Sequence, residues 1–369
     1  MRAIRTFILL SILHSTTNCF DFQKDCIIVS PTDESLRTTL STPFSKHQTS
    51  SQKPKYREIA TGFINKHRVH LKRFHKIDES LTSMINQEIQ IQSTLPKNQC
   101  YAEYLGCYYD SEEKLVYVAS QLYDGDFSEE SPVGKAFRQS GDLKLKLQTY
   151  IRLIDCVFDL HERKIMHNDL KPHNLVSKLD DLSSIRIIDF GFATFPEQSA
   201  NGGTLSYLPP EYAQVKINII DASGNECKFN RAPSIKRDSY SLGKTLAMIE
   251  LGKEAVLGQS TYGHYPSNCF EINKTLRQMH RQLIKALETS IKSRSRSPLE
   301  IELHNRIRKI VWGIPEMRPN LPSIQYIFVH LYQDNFGLLG SRDELRLSSM
   351  LRNKHFIDNA QQKLNSLKI

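Results

Sequence analysis

Residues 165–176 read IMHNDLKPHNLV and bring His167, Asp169, Lys171 and Asn174 into one short stretch. A carboxylate, an ammonium and an amide, at spacings of two and five from Asp169, can face a single pocket, with Pro172 stiffening the turn. Asp189 follows the apolar run Ile185–Ile188 and precedes Phe190-Gly191, where a glycine permits a sharp bend. Such a set suits transfer of a phosphoryl group to a hydroxyl. A carboxylate orients the hydroxyl and takes its proton, a cation meets the phosphate charge, and hard oxygen ligands hold a metal. On residue type, Asp169 is the candidate base, Lys171 the candidate cation, and Asn174 and Asp189 the candidate metal ligands. The alternative is a polar surface loop between two strands.

Regular elements must hold these residues. The run 143–164, apolar at Leu147, Ile151, Ile154, Val157, Phe158 and Leu160, predicts a long core helix ahead of the loop. Short strands are expected around 174–177 and 185–188, then a segment without periodicity to Glu211. Further helices are predicted over 238–251 and within 300–334. Upstream, 56–66, 67–74 and 114–123 read as strands. Between them Leu81, Met84, Ile85, Ile89 and Leu95 fall near helical spacing, with Asp78 as the expected N-cap. Strands with one helix followed mainly by helices predict an α+β, bilobal fold. The smaller lobe is expected over 54–123 and the larger over 124–335, with a leader at 20–53 and a helical tail at 336–369.

HNDLKPHNLV followed by DFG resembles the catalytic and metal-binding loops of eukaryotic protein kinases, which usually carry Arg where this chain has Asn168. GGTLSYLPPE, residues 202–211, is similar to the end of an activation segment, and DSYSLG to the start of the central helix of the larger lobe. The resemblance spans about residues 54–335 and implies transfer of the γ-phosphate of ATP, with Mg²⁺, to a protein substrate. It implies that Asp238 braces the catalytic-loop backbone, that Arg318 pairs with Glu211, and that Thr204 orients Asp169. Val69-His70-Leu71-Lys72 resembles the strand whose lysine holds the α- and β-phosphates. Glu88, sixteen positions on, would pair with that lysine; the rival Glu79 falls too early in the helix. Lys171 is the form found in Ser/Thr kinases, and the short segment 189–211 implies a protein rather than a small metabolite as acceptor.

Two departures qualify the resemblance. Asn168 cannot make the bidentate charged contact by which an arginine there binds a phosphate on the activation segment. Phosphorylation of that segment is therefore not expected to switch this chain. Where a glycine-rich loop should lie, residues 46–56 contain no glycine, and Gly62 is the only one in the first 105 residues. Glycines let backbone amides approach phosphates closely. Without them, a turn with Ser50, Ser51 and Lys53 would have to cover the phosphates, and a pseudokinase or weakly active kinase-fold scaffold is the alternative. A small-molecule kinase of related fold is a third reading. Lys72, Asp169, Asn174 and Asp189 are all present, which favours the active enzyme.

The totals fit this picture. The chain has 369 residues, 39% of them hydrophobic, 24% charged, and a formal charge of +9, the composition of a globular protein with a core. A basic balance suits polyphosphate handling. No stretch interleaves basic and aromatic residues, so no nucleic-acid partner is expected; the sequence sets no oligomeric state. Arg2 and Arg5 precede a short apolar run, Phe7 to Leu13, then small polar residues, the layout of a signal peptide over 1–19. It is too short to span a bilayer, no transmembrane segment is expected, and a secreted or secretory-pathway protein, including an exported effector, is implied. Seven cysteines form no CxxC pair, which argues against zinc. Cys100 and Cys107 could close a local loop, or stand as free thiols. Asn273-Lys274-Thr275 is a glycosylation sequon, meaningful only in the secretory pathway. The basic serine-rich stretch 292–298 reads as a solvated loop.

Overall fold

The computed structural model describes residues 26–28, 57–64, 67–75, 79–198, 203–216, 226–229, 234–257 and 268–337. The expected signal peptide, the glycine-free stretch, Asp78 and the tail beyond Gly337 lie outside the described residues. Two compact units emerge, one of residues 1–93 and 103–122, the other of 94–102 and 123–369.

The first unit is a sheet with one helix. Strands β1 (Ile27–Ile28), β2 (Arg57–Ile64), β3 (His67–Phe74), β4 (Tyr104–Asp110) and β5 (Leu115–Gln121) lie in the order β1-β4-β5-β3-β2. Only β1 and β4 run parallel. Side chains alternate between the two faces of a strand. Phe74, Val116, Val118 and Cys107 therefore share one face and pack with Cys26 against Ile85 and Ile89 of helix α1 (Glu79–Thr94). Each such apolar burial contributes roughly 1.5–3 kcal/mol. Val69, Leu71, Tyr108, Tyr117 and Ala119 form the cluster on the opposite face. Lys72 alternates with Leu71 and pairs in register with Val118, so its side chain emerges on the helix side. β4 was not among the expected strands; Gly106 and a register shift between Tyr104 and Gly106 break its alternation.

The second unit is mainly helical. It contains α2 (Pro132–Gln139), α3 (Leu143–Glu162), α4 (Ile235–Leu251), α5 (Lys253–Leu257), α6 (Cys269–Ile291), α7 (Pro298–Ile310) and α8 (Leu321–Phe336). Small sheets join β6 (Gly125–Asp126), β7 (Leu175–Ser177) and β8 (Arg186–Ile187), and β9 (Ala213–Lys216) with β10 (Glu226–Phe229). The long helices start on capping side chains that accept an orphan amide. Asp142 accepts from Leu145, Ser234 from Lys236, Asn268 from Glu271, Ser297 from Glu300 and Asn320 from Ser323. The Ser234 cap starts α4 at Ile235, three residues ahead of the expected 238. Residues Arg237 to Ile249 are buried, and α7 approaches α4 closely because a Cβ at Gly243 would lie 2.7 Å from side-chain atoms of Ile310 and Val311. Among the described residues no helix is long and apolar enough to cross a membrane.

The cysteines pair differently from the local loop considered above. Cys26 bonds Cys107 and ties β1 to β4 within the sheet, while Cys100 bonds Cys156 of α3. Cys107 is buried in the sheet beside Cys26, whereas residues 94–102 belong to the second unit. There Cys100 accepts the Ile187 amide at 2.8 Å, Tyr101 OH donates to Asp159 Oδ2 at 2.7 Å, and Arg152 reaches Gln99 at 3.1 Å. Cys269 is also disulfide-bonded.

Candidate active site

The loop after α3 is built on Asp238. This carboxylate, fully buried in the first turn of α4, accepts the amides of His167 and Asn168, each at 2.8 Å, and Nε2 of His161 at 2.9 Å. Burial alone would raise its pKa; the hydrogen bond and charge of His161, with the amide of His167, outweigh burial and hold it below the ordinary carboxylate value. Two loop amides thereby gain a charged acceptor, a bond type worth about 1.5–3 kcal/mol. One tautomer of His167 meets its surroundings: Nε2 donates to Ile188 O at 3.1 Å, and Nδ1 accepts the Asp169 amide at 3.3 Å. Asn168 takes a left-handed φ of 61°, which asparagine tolerates better than most residues.

Three groups converge on the Asp169 carboxylate, itself 2% exposed. Oδ1 accepts the Thr204 amide at 2.6 Å; Oδ2 accepts Lys171 Nζ at 2.6 Å and Asn174 Nδ2 at 3.2 Å. Lys171 Nζ also donates to Thr204 Oγ1 at 2.7 Å, and Asn174 Nδ2 to Asp169 O at 2.8 Å. With its nitrogen committed to Asp169, Asn174 presents Oδ1 as its remaining polar atom. Its backbone carbonyl accepts the Ile188 amide at 3.0 Å, which sets Asn174 beside the turn that carries Asp189. Asp189 has a left-handed φ of 64°, a conformation that concentrates at functional sites. Phe190 is buried between Tyr101 and His167, with ring centroids 6.1 and 5.3 Å away.

Below the loop, Arg318 grips Glu211 with two parallel bonds of 2.5 and 2.7 Å, donates to Trp312 O at 2.6 Å and lies 4.7 Å from the Tyr240 ring centroid. Its side chain is fully buried. In the first unit Lys72 pairs with Glu88, both buried, on the sheet face covered by α1. Glu88 lies three positions after Ile85 and so shares the helix face that packs on the strand; Gln92 also donates to it at 3.1 Å.

Two residues went unassigned in the sequence. Asn168 was read only as a missing arginine, yet its amide is buried, donating to Met166 O at 3.2 Å, Phe192 O at 3.0 Å and Thr194 Oγ1 at 2.8 Å. Met166 and Thr194 also exchange backbone bonds of 2.9 Å. Arg237, beside Asp238, carries its guanidinium 5.0 Å from the Tyr212 ring centroid; a basic residue directly before a bracing Asp was the only signal for it. Among the described residues no group of three or more His, Cys, Asp or Glu could hold a metal.

The sequence model of the protein kinase domain family matches residues 65–325. Over 138 residues the chain is 32% identical to an Aurora kinase of Patiria pectinifera, covering 36% of this chain and 32% of that relative. An Aurora kinase of Dictyostelium discoideum is 30% identical over 148 residues, 38% of this chain and 35% of the relative. The RasGEF domain-containing serine/threonine-protein kinase X of the same organism is 32% identical over 120 residues, 31% of this chain and 10% of the relative. The chain thus spans about a third of the length of these two Aurora kinases and a tenth of the third protein. The family match takes in the loop around Asp169, the Glu211–Arg318 clamp and the Lys72–Glu88 pair alike, and on that breadth the chain belongs to the protein kinase domain family.

Proposed function

We propose that this chain is a protein serine/threonine kinase that uses ATP with Mg²⁺ and works outside the reducing cytosol. The observation that carries the reading is the Asp169 carboxylate, held in place by Thr204, Lys171 and Asn174. An ionised carboxylate offers about four lone-pair sites. The three bonds it accepts leave room for a substrate hydroxyl. That hydroxyl donates to Asp169, its oxygen attacks the γ-phosphorus, and its proton passes to the carboxylate. The new O–P bond forms as the bond to the bridging β–γ oxygen breaks, and that oxygen leaves with its electron pair as part of ADP. Lys171, 2.6 Å from the base, is placed to meet charge on the transferred group. Lys72, fixed by Glu88, would hold the α- and β-phosphates.

Magnesium fits the donors present. It favours hard oxygens and keeps several waters and phosphate oxygens, so two protein ligands suffice. Asn174 Oδ1 and the Asp189 carboxylate would hold it. When bound, it supplies neutralisation of the phosphate oxygens.

The five cysteines 26, 100, 107, 156 and 269 are all disulfide-bonded. Such usage belongs to oxidising compartments and supports, with the signal-peptide layout of residues 1–19, a product of the secretory pathway. N-terminal sequencing of the mature protein tests this: a start near residue 20 agrees, and an intact Met1 counts against it.

A second reading, a kinase-fold binding protein with weak transfer, is favoured by the glycine-free stretch 46–56. Radiolabel from γ-labelled ATP with Mg²⁺ appearing on serine or threonine of a generic protein supports the kinase. Thermal stabilisation by Mg-ATP without label transfer supports the binding protein.

A further inference from the structure

The segment 203–212 closes over Asp169 through Thr204 and ends in the Glu211–Arg318 clamp. Where the resemblance places an arginine facing that segment, Asn168 is neutral, and its amide turns inward to Phe192 and Thr194. A cation reaches the segment from α4 instead. Arg237 is 3% exposed. Its guanidinium lies 5.0 Å from the centroid of Tyr212, and Tyr212 in turn packs on Phe229 at 5.6 Å. On its other side it meets the backbone at Gly203, where an added Cβ would lie 3.1 Å from Nη2 and 2.6 Å from Asn168 O. Gly203, with φ 132°, is thus pressed between the loop and this one side chain. The negative charges of Asp238, Asp169 and Glu211 act on the guanidinium and favour its charged form.

The placement is unfavourable on two counts. Burial depresses the pKa of Arg237, and the first turn of a helix, where its positive dipole end lies, repels a cation. An apolar side chain of similar length would fill the space without either penalty. What an apolar side chain could not do is lie against Tyr212 as a cation while its far end backs the chain at Gly203.

We propose that Arg237 is a positioning residue for phosphoryl transfer, a built-in cation that sets Gly203–Thr204 and Tyr212 against Asp169. The segment then needs no added phosphate to take its working arrangement. The inference rests on the kinase reading above, and deepens it by naming what regulates the site.

The test uses the full chain, oxidised, with Arg237→Met and Arg237→Lys compared with the wild type. Kinetics are measured with Mg-ATP and a serine peptide, and amide hydrogen exchange is followed over residues 203–212. In Arg237→Met, kcat should fall at least tenfold and KM for the peptide rise several-fold, with KM for ATP within twofold. Arg237→Lys, which keeps the charge, should recover most of kcat. Phosphatase-treated wild type should keep its full rate. Exchange at 204–212 should quicken about tenfold in the Met variant while α4 amides at 240–249 stay as protected as before. Wild-type kcat in Arg237→Met, equal losses in Met and Lys, or inactivation by phosphatase each overturns the proposal. If the wild type transfers no phosphate, the kinase reading fails, and exchange still decides: unchanged protection over 204–212 in Arg237→Met sinks the positioning role independently.

Discussion

Thr204 gives its backbone amide to Asp169 Oδ1 at 2.6 Å across 35 positions of sequence. The same threonine takes Lys171 on its hydroxyl, so Asp169, Lys171 and Thr204 form a closed triangle. Every group aimed at the carboxylate is a donor. Asp169→Asn places an amide NH₂ among those donors and removes the base. Transfer should fall by about 10²–10⁴-fold, the usual loss for a general base, while the chain still folds, with a melting temperature lowered by the weakened donor bonds. Undiminished kcat in a labelled-ATP assay would show that the proton goes elsewhere.

The Lys72–Glu88 pair predicts a split between stability and activity. Lys72→Met leaves Glu88, 2% exposed, as a buried charge without its lysine, a change that typically costs about 3–5 kcal/mol. Both the melting temperature and the transfer rate should drop. Adding Glu88→Gln should restore much of the stability and none of the activity. Denaturant melts and kinetics on the single and double variants check this, and equal recovery of both would remove Lys72 from the nucleotide.

Lys244 predicts an unusual pH profile. Its amine lies fully buried in α4 with no hydrogen-bond partner among the described residues, and burial pulls its pKa down to about 7. His280, which accepts or gives a bond to Tyr240 OH at 3.1 Å, is lowered to about 4 by burial and by the charges of Lys244, Arg318 and Arg281. Both are bases with depressed values, so the unfolded chain binds more protons and stability rises with pH. The Lys244 penalty is absent above about pH 10.5, grows as pH falls to 7, and is constant below. His280 adds its own loss between about 6.5 and 4. Lys244→Met, of similar volume, should stabilise the protein at pH 7 by on the order of 4 kcal/mol and flatten the profile between pH 7 and 10. A lower melting temperature in that variant would show that the amine has an unseen acceptor.

The Cys26–Cys107 and Cys100–Cys156 disulfides should each matter to stability. They close spans of 81 and 56 residues, for which the chain-entropy argument gives about 4 kcal/mol apiece. Thermal melts with and without dithiothreitol should differ by many degrees, and thiol titration of the denatured, unreduced chain should find none of these four cysteines free. Identical melts in both conditions would contradict the bonding.

Much of the site could be read directly because its chemistry demands particular residue types at fixed spacing. Asp169, Lys171 and Asn174 lie close in sequence, and the loop that carries them folds locally. Lys72 and Glu88 were matched through the resemblance of their motifs to the kinase strand and helix, and the fold pairs the two side chains. What stayed hidden depended on distant parts of the chain. α6 was not expected, although Leu276, Met279, Leu283 and Leu287 are its buried positions at helical spacing; the many polar residues between them diluted the pattern. β4 was lost to Gly106 and its run of tyrosines. The disulfide pairing could not be deduced, since any two cysteines on one strand face or one helix look alike before the sheet is assembled. Arg237 was invisible because its meaning lies in Tyr212 and Gly203, which only the fold brings to it.

The sequon on α6 has a consequence of its own. Asn273 is buried, and its side-chain nitrogen, the atom a glycan would take, is bonded to Ala213 O on β9. A sugar tree attached there would stop α6 from seating against β9. In a compartment that decorates chains as they emerge, maturation then becomes a race between the tagging enzyme and closure of the helical unit. A folded molecule in such a compartment would then be bare at that asparagine, because Nδ2 is already taken by Ala213 O.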